Sequence, residues 1–72
     1  MTDTLLSCAT DIKNLHKWAV EEYHPEEAEK YLEILAKILN VIKDLSDKWP
    51  DNASIQACRV RIACLYRDSC NF

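Results

Sequence analysis

The chain has 72 residues, 49% of them hydrophobic and 29% charged, a composition typical of a soluble globular protein. This length allows one domain, 1–72, and the absence of glycine removes the residue that tight hairpins, phosphate-binding loops and close cofactor contacts require. The formal net charge of −3 argues against nucleic acid as a partner, because phosphate backbones attract basic proteins. We therefore expect an all-α protein that binds no cofactor, and we do not expect sheets, P-loops or Rossmann units.

The first helix is predicted over 3–23. Apolar residues recur through this segment with the three-four spacing of one helical face. Thr2 or Asp3 can accept hydrogen bonds from the amides of the first turn. His24-Pro25 ends the helix, because proline disfavours helical backbone at the residue before it and suits the first turn of a new helix. A very short connection should therefore join the first two helices.

The second helix, predicted over 25–49, has the clearest pattern in the chain. Apolar or aromatic residues fill the a and d positions of three heptads: Ala28, Tyr31, Leu35, Ile38, Ile42, Leu45 and Trp49. The flanking e and g positions add four more: Leu32, Ile34, Leu39 and Val41. So wide an apolar face is expected to pack between two neighbouring helices. Pro50 ends the helix, and Asp51 or Asn52 can cap the next one.

The third helix is predicted over 52–69 and carries two apolar stripes. One side collects Ile55, Cys58, Ile62, Leu65, Tyr66 and Ser69. The nearly opposite side, which we call the outer face, consists of Ala53, Ala57, Val60 and Cys64. Because an outer helix of a monomeric bundle should be polar there, the outer face is unexpected.

These helices predict a small antiparallel three-helix bundle in which the second helix is central. We expect the outer face of the third helix, with Trp18, to form a dimer or partner interface. Small residues at four-residue spacing let two helices approach closely, and a symmetric pair is the commonest closed assembly. Both a simple dimer and a dimer that exchanges helices between its two chains fit the pattern.

The chain contains four cysteines. In an up-down-up bundle, Cys8 and Cys58 would both point inward near the starts of parallel helices, close enough to form a disulfide or a redox pair. The plainer interpretation is that each is a buried thiol that packs as a small apolar side chain. Cys64 and Cys70 would lie ~9 Å apart along one helix and point in different directions, too far for a disulfide.

The remaining polar residues do not predict a metal site or a catalytic site. The histidines and cysteines lack metal-ligand spacing, and His16 is expected to be partly exposed at the edge of the first helix's apolar face. A glycine-free bundle offers neither a positioned base nor an oxyanion hole, so we expect no enzymatic activity. Four glutamates around the first turn form a predicted acidic rim, either solvated or in contact with a basic partner: Glu21, Glu22, Glu26 and Glu27.

The pattern as a whole favours a non-enzymatic interaction protein that binds a partner protein directly, inhibits or bridges it, and acts as a homodimer. Free-standing chains of this length are common among phage and plasmid proteins that inhibit host proteins. No apolar run approaches the ~20 residues that span a bilayer, so we expect a cytoplasmic location. Two alternatives remain open: a thiol redox sensor that uses Cys8 and Cys58, and a helical dimer that binds nucleic acid.

Overall fold

The computed structural model describes residues 2–70, with Thr2 by its backbone alone, and this part of the chain is all-helical. Three helices pack against one another: α1 (Thr2–Glu21), α2 (Pro25–Lys48) and α3 (Ala53–Cys70). Each boundary lies within two residues of the prediction. The described part contains no strand, as the absence of glycine led us to expect.

A left-handed residue ends α1. Tyr23 has a φ of 60°, and the amides of Tyr23 and His24 donate to the carbonyls of Val20 (3.3 Å) and Ala19 (2.7 Å). This double hydrogen bond is a Schellman motif, whose left-handed position usually holds glycine. Because the chain has no glycine, tyrosine takes that position, and α1 ends two residues earlier than predicted.

The second turn is fixed by Asn52. Its side-chain oxygen accepts a hydrogen bond from the amide of Ile55 at 3.1 Å, and its carbonyl accepts one from Gln56 at 3.1 Å. Asn52 is therefore the N-cap of α3, one of the two candidates that the sequence offered. Pro50 follows Trp49, whose amide makes the last helical bond of α2, to Leu45.

Side chains from all three helices form the core. Its buried members are Ala9, Leu35, Leu39, Ile42, Ile55, Cys58 and Ile62. In α2 and α3, intervals of three and four residues bring these positions to one side of the helix, as the apolar patterns predicted. The result is a rod of 42 × 17 × 16 Å.

The structure corrects two expectations for α1. His16 is buried, with 4% of its surface exposed, whereas Leu15 is 41% exposed. His16 lies seven residues after the buried Ala9 and so shares its face of the helix, and this face is turned into the bundle. Cys8, expected to point inward, is exposed because it precedes Ala9 and lies to the side of that buried face.

Candidate functional site

The outer face of α3 is open to solvent. Ala53, Ala57, Val60 and Cys64 are all exposed, and Val60 exposes 62% of its surface. The opposite side of the same helix is buried, where it carries Ile55, Cys58 and Ile62. No other part of the described chain covers this face.

The outer face is not flat. A depression of about 270 Å³ lies beside Val60 and Cys64, and Arg59 and Arg67 also line it. The two arginines frame an apolar floor to which Ala63 contributes. A shallow apolar depression with a cationic edge is suited to a helix that carries a carboxylate beside small side chains.

A second apolar surface lies at the end of the rod where α2 meets α3. It is a groove of about 670 Å³ lined by Thr4, Leu5, Cys8, Val41, Leu45, Trp49, Asn52, Ser54 and Ile55. Trp49 is 58% exposed and Val41 is 49% exposed. Because Trp49 follows the last helical residue, Lys48, its ring is not held in the core as a heptad position would require. We call this surface the Trp49 groove.

The heptad pattern predicted that Trp49 would lie on the apolar face of α2, and it gave no sign of the Trp49 groove. The sequence did contain one sign of this groove, a tryptophan directly before Pro50. Because proline disfavours helical backbone at the preceding residue, Trp49 need not follow the heptad pattern of α2. The other tryptophan, Trp18, is 45% exposed, and its ring stacks on His24 at 5.1 Å between centroids. Trp18 is therefore partly held by its own turn.

The acidic rim is fully on the surface: Glu21, Glu22, Glu26 and Glu27 are all exposed. Glu26 and Glu27 lie in the first turn of α2, where the positive end of the helix dipole favours a carboxylate. Glu21 and Glu22 lie at the opposite, negative end of α1. The rim thus concentrates negative charge at one end of the rod.

The cysteines are present as thiols, and the two members of the predicted redox pair differ in environment. Cys8 is exposed in the Trp49 groove, whereas Cys58 is buried in the core. Burial raises the pKa of the Cys58 thiol, and the negative charge of Asp3 raises it further. A raised pKa disfavours the thiolate, which is the reactive form of cysteine. The environment of Cys58 therefore argues against a redox pair of Cys8 and Cys58, which stays a prediction.

A partly buried polar cluster joins α2 to α3. The Ser46 hydroxyl donates to Oε1 of Gln56 at 2.9 Å, and Nε2 of Gln56 returns a hydrogen bond to the Ser46 carbonyl at 3.2 Å. Nη1 of Arg59 donates to the same hydroxyl at 3.0 Å. This cluster holds Arg59 at one edge of the outer face.

No group of three or more potential ligands that could hold a metal ion occurs within residues 2–70. In the same part of the chain, no helix is long and apolar enough to cross a membrane. Comparisons of the chain with protein families, with curated proteins and with solved structures find no match.

Proposed function

We propose that the chain is a non-enzymatic interaction protein that acts as a homodimer and regulates a partner protein by binding it directly. The observation that carries the proposal is the exposure of Val60, at 62%, in the middle of an apolar face that the chain does not cover.

The proposal includes helices that alternate in direction. Residues near the start of α1, the end of α2 and the start of α3 line the Trp49 groove together. An ion pair of 3.7 Å between Lys13 and Asp68 joins the second half of α1 to the end of α3. Both contacts agree with an up-down-up bundle. Each helix packs against the other two, so α2 is not a central helix between two outer ones, and the outer face of α3 is available to a second copy.

The spacing of the outer face favours an antiparallel pair of α3 helices. The four residues follow one another at intervals of four, three and four, which is the alternation of a and d positions in a coiled coil. In one antiparallel register, Ala57 of one copy lies level with Val60 of the other, and Ala53 with Cys64. Each layer then pairs an alanine with a larger side chain, so a small residue stands opposite a larger one along the whole interface.

Charge supports the same register. It places Arg67 of one copy beside Asp51 of the other, at both ends of the symmetric interface. Both side chains are exposed and able to meet across it. Antiparallel helices also set opposite ends of their dipoles side by side. The interface is self-complementary, as a two-fold dimer requires.

Light scattering with size exclusion tests the dimer with one substitution. Val60→Asp places a carboxylate against the apolar layer of the other copy, where it cannot be solvated. We expect it to weaken self-association by about 100-fold and to return the 8.4 kDa monomer at micromolar concentration.

Val41→Asp is the matched control, because Val41 is similarly exposed but lies on α2 in the Trp49 groove. We expect this variant to keep the mass of the wild type. A monomeric wild type, or an equal loss of dimer in both variants, would contradict the proposal.

We assign the partner protein to the Trp49 groove, because a half-exposed tryptophan at the centre of an apolar groove is typical of a binding hot spot. Capture from cells of the native host, with tagged protein, compares Trp49→Ala with Trp18→Ala. We expect Trp49→Ala to lose a specific partner that Trp18→Ala retains. Recovery of the same proteins by both variants would contradict this assignment.

A further inference from the structure

A third cavity lies at the acidic end of the rod, away from both surfaces described above. It has a volume of about 620 Å³ and is lined by His16, Ala19, Val20, Tyr23, His24, Pro25, Ala28, Glu29, Leu32, Ser69 and Cys70. Its interior wall is built from small buried residues, one from each helix: Ala19, Ala28 and Ser69. In the middle of the rod, larger residues such as Leu35, Ile42 and Ile62 fill the same space. The cavity therefore lies where the described part of each helix contributes a small residue to the interior: Ala19, Ala28 and Ser69.

Two polar side chains stand in this wall with almost no exposure: His16 at 4% and Ser69 at 2%. The Ser69 hydroxyl oxygen has no hydrogen-bond partner within residues 2–70. An apolar residue at this position would avoid the free-energy cost of a buried hydroxyl that makes no hydrogen bond. A ligand in the cavity could form the hydrogen bond that the Ser69 hydroxyl lacks, and this would explain a serine at that position.

The charge around the cavity selects the ligand. Glu29 lines it, and the acidic rim surrounds the same turn. α2 begins here with Pro25, which has no amide hydrogen to offer to an anion. The carboxylates attract a cation and repel an anion.

The rest of the lining is apolar or aromatic. Val20 and Leu32 contribute aliphatic surface, and Tyr23 and His24 contribute rings near the opening. An aromatic face adds to the attraction of an ammonium group. We propose that this cavity is a binding site for a primary ammonium group carried on a short apolar stem. The inference is independent of the dimer and of the Trp49 groove.

An NMR titration with three probes of equal length tests the proposal: n-pentylamine, 1-pentanol and pentanoate. We expect the amine to shift the amide signals of the cavity residues and to bind at least about tenfold more tightly than the other two probes. N-acetyl-lysine amide distinguishes the source of the ammonium group. If it binds as well as the amine, the ligand is a lysine side chain of a partner, and if it does not, the ligand is a free amine.

Two substitutions locate the site. Ser69→Ala removes the hydroxyl and Glu29→Gln removes the nearest charge, and each should weaken amine binding by about tenfold. Glu33→Gln, an exposed change one turn further along α2, should leave binding unchanged, and circular dichroism should show all three variants folded. Equal binding of the three probes, shifts outside the cavity, or undiminished binding by Ser69→Ala would each overturn the proposal.

Discussion

His16 shows what burial does to a single polar side chain. Desolvation in the bundle lowers the pKa of His16, because the charged imidazolium loses its contact with water. The neutral form is therefore the one that the fold accommodates. Ala19, three residues later and fully buried, is small enough to leave room for the imidazole on the same side of α1.

The lowered pKa predicts how stability depends on pH. Below the ordinary histidine pKa of 6.5, the unfolded chain takes up a proton that the folded chain resists. The contribution of His16 is thus complete above pH 6.5 and is lost as the pH falls below it, by up to about 1.4 kcal/mol per pH unit.

Urea unfolding between pH 8 and pH 5 measures this effect. We expect His16→Gln to lose the decline that the wild type shows below pH 6.5. The exposed His24 provides the control, since His24→Gln should decline as the wild type does. If the slopes of wild type and His16→Gln are equal, the burial of His16 does not govern this pH range.

At the scale of the elements, α2 was the most predictable helix. Its heptads placed Leu35 and Ile42 correctly in the core. An unbroken apolar pattern identifies a single face of the helix, and that face must point into the bundle. Trp49 was misassigned, although it fits the same heptad pattern. The helix ends one residue before it, and a register has no meaning beyond the end of the helix.

Ser46 could not have been predicted from periodicity. It occupies an e position of α2, where a lone serine in an apolar face gives no sign of its partners. Gln56 and Arg59 come from the next helix, and only packing brings them to the serine. Polar contacts between helices depend on the rotation and offset of one helix against the other, which the apolar pattern of a single helix does not specify.

The two sides of α3 were both read from spacing. Burial of Ile55, Cys58 and Ile62 followed from their place on one side of the helix, and exposure of Val60 followed from its place on the other. The cavity at the acidic end was beyond such reasoning. It arises where small residues of three separate helices meet at one level of the bundle. The apolar pattern of one helix does not show which residues of the other helices lie at that level.

The molecule as a whole is a thin rod with a buried interior and uncovered apolar surface. Its extents of 42 × 17 × 16 Å leave room for one layer of core side chains between the helices. Apolar side chains beyond that layer remain outside, on the outer face and in the Trp49 groove. We propose that a second copy covers the outer face in an antiparallel register.

Disulfide trapping tests that claim most directly. In the proposed register, Cys64 of one copy faces Ala53 of the other, and the two Cys64 thiols are separated by about 16 Å along the helices. Mild oxidation of Ala53→Cys, with Cys8 and Cys70 replaced by serine, should therefore give a covalent dimer that joins positions 53 and 64. The same background with Ala53 retained should stay uncrosslinked. A dimer joined through Cys64 to Cys64 would exclude the proposed register, and a variant that remains monomeric under oxidation would contradict the antiparallel pair altogether.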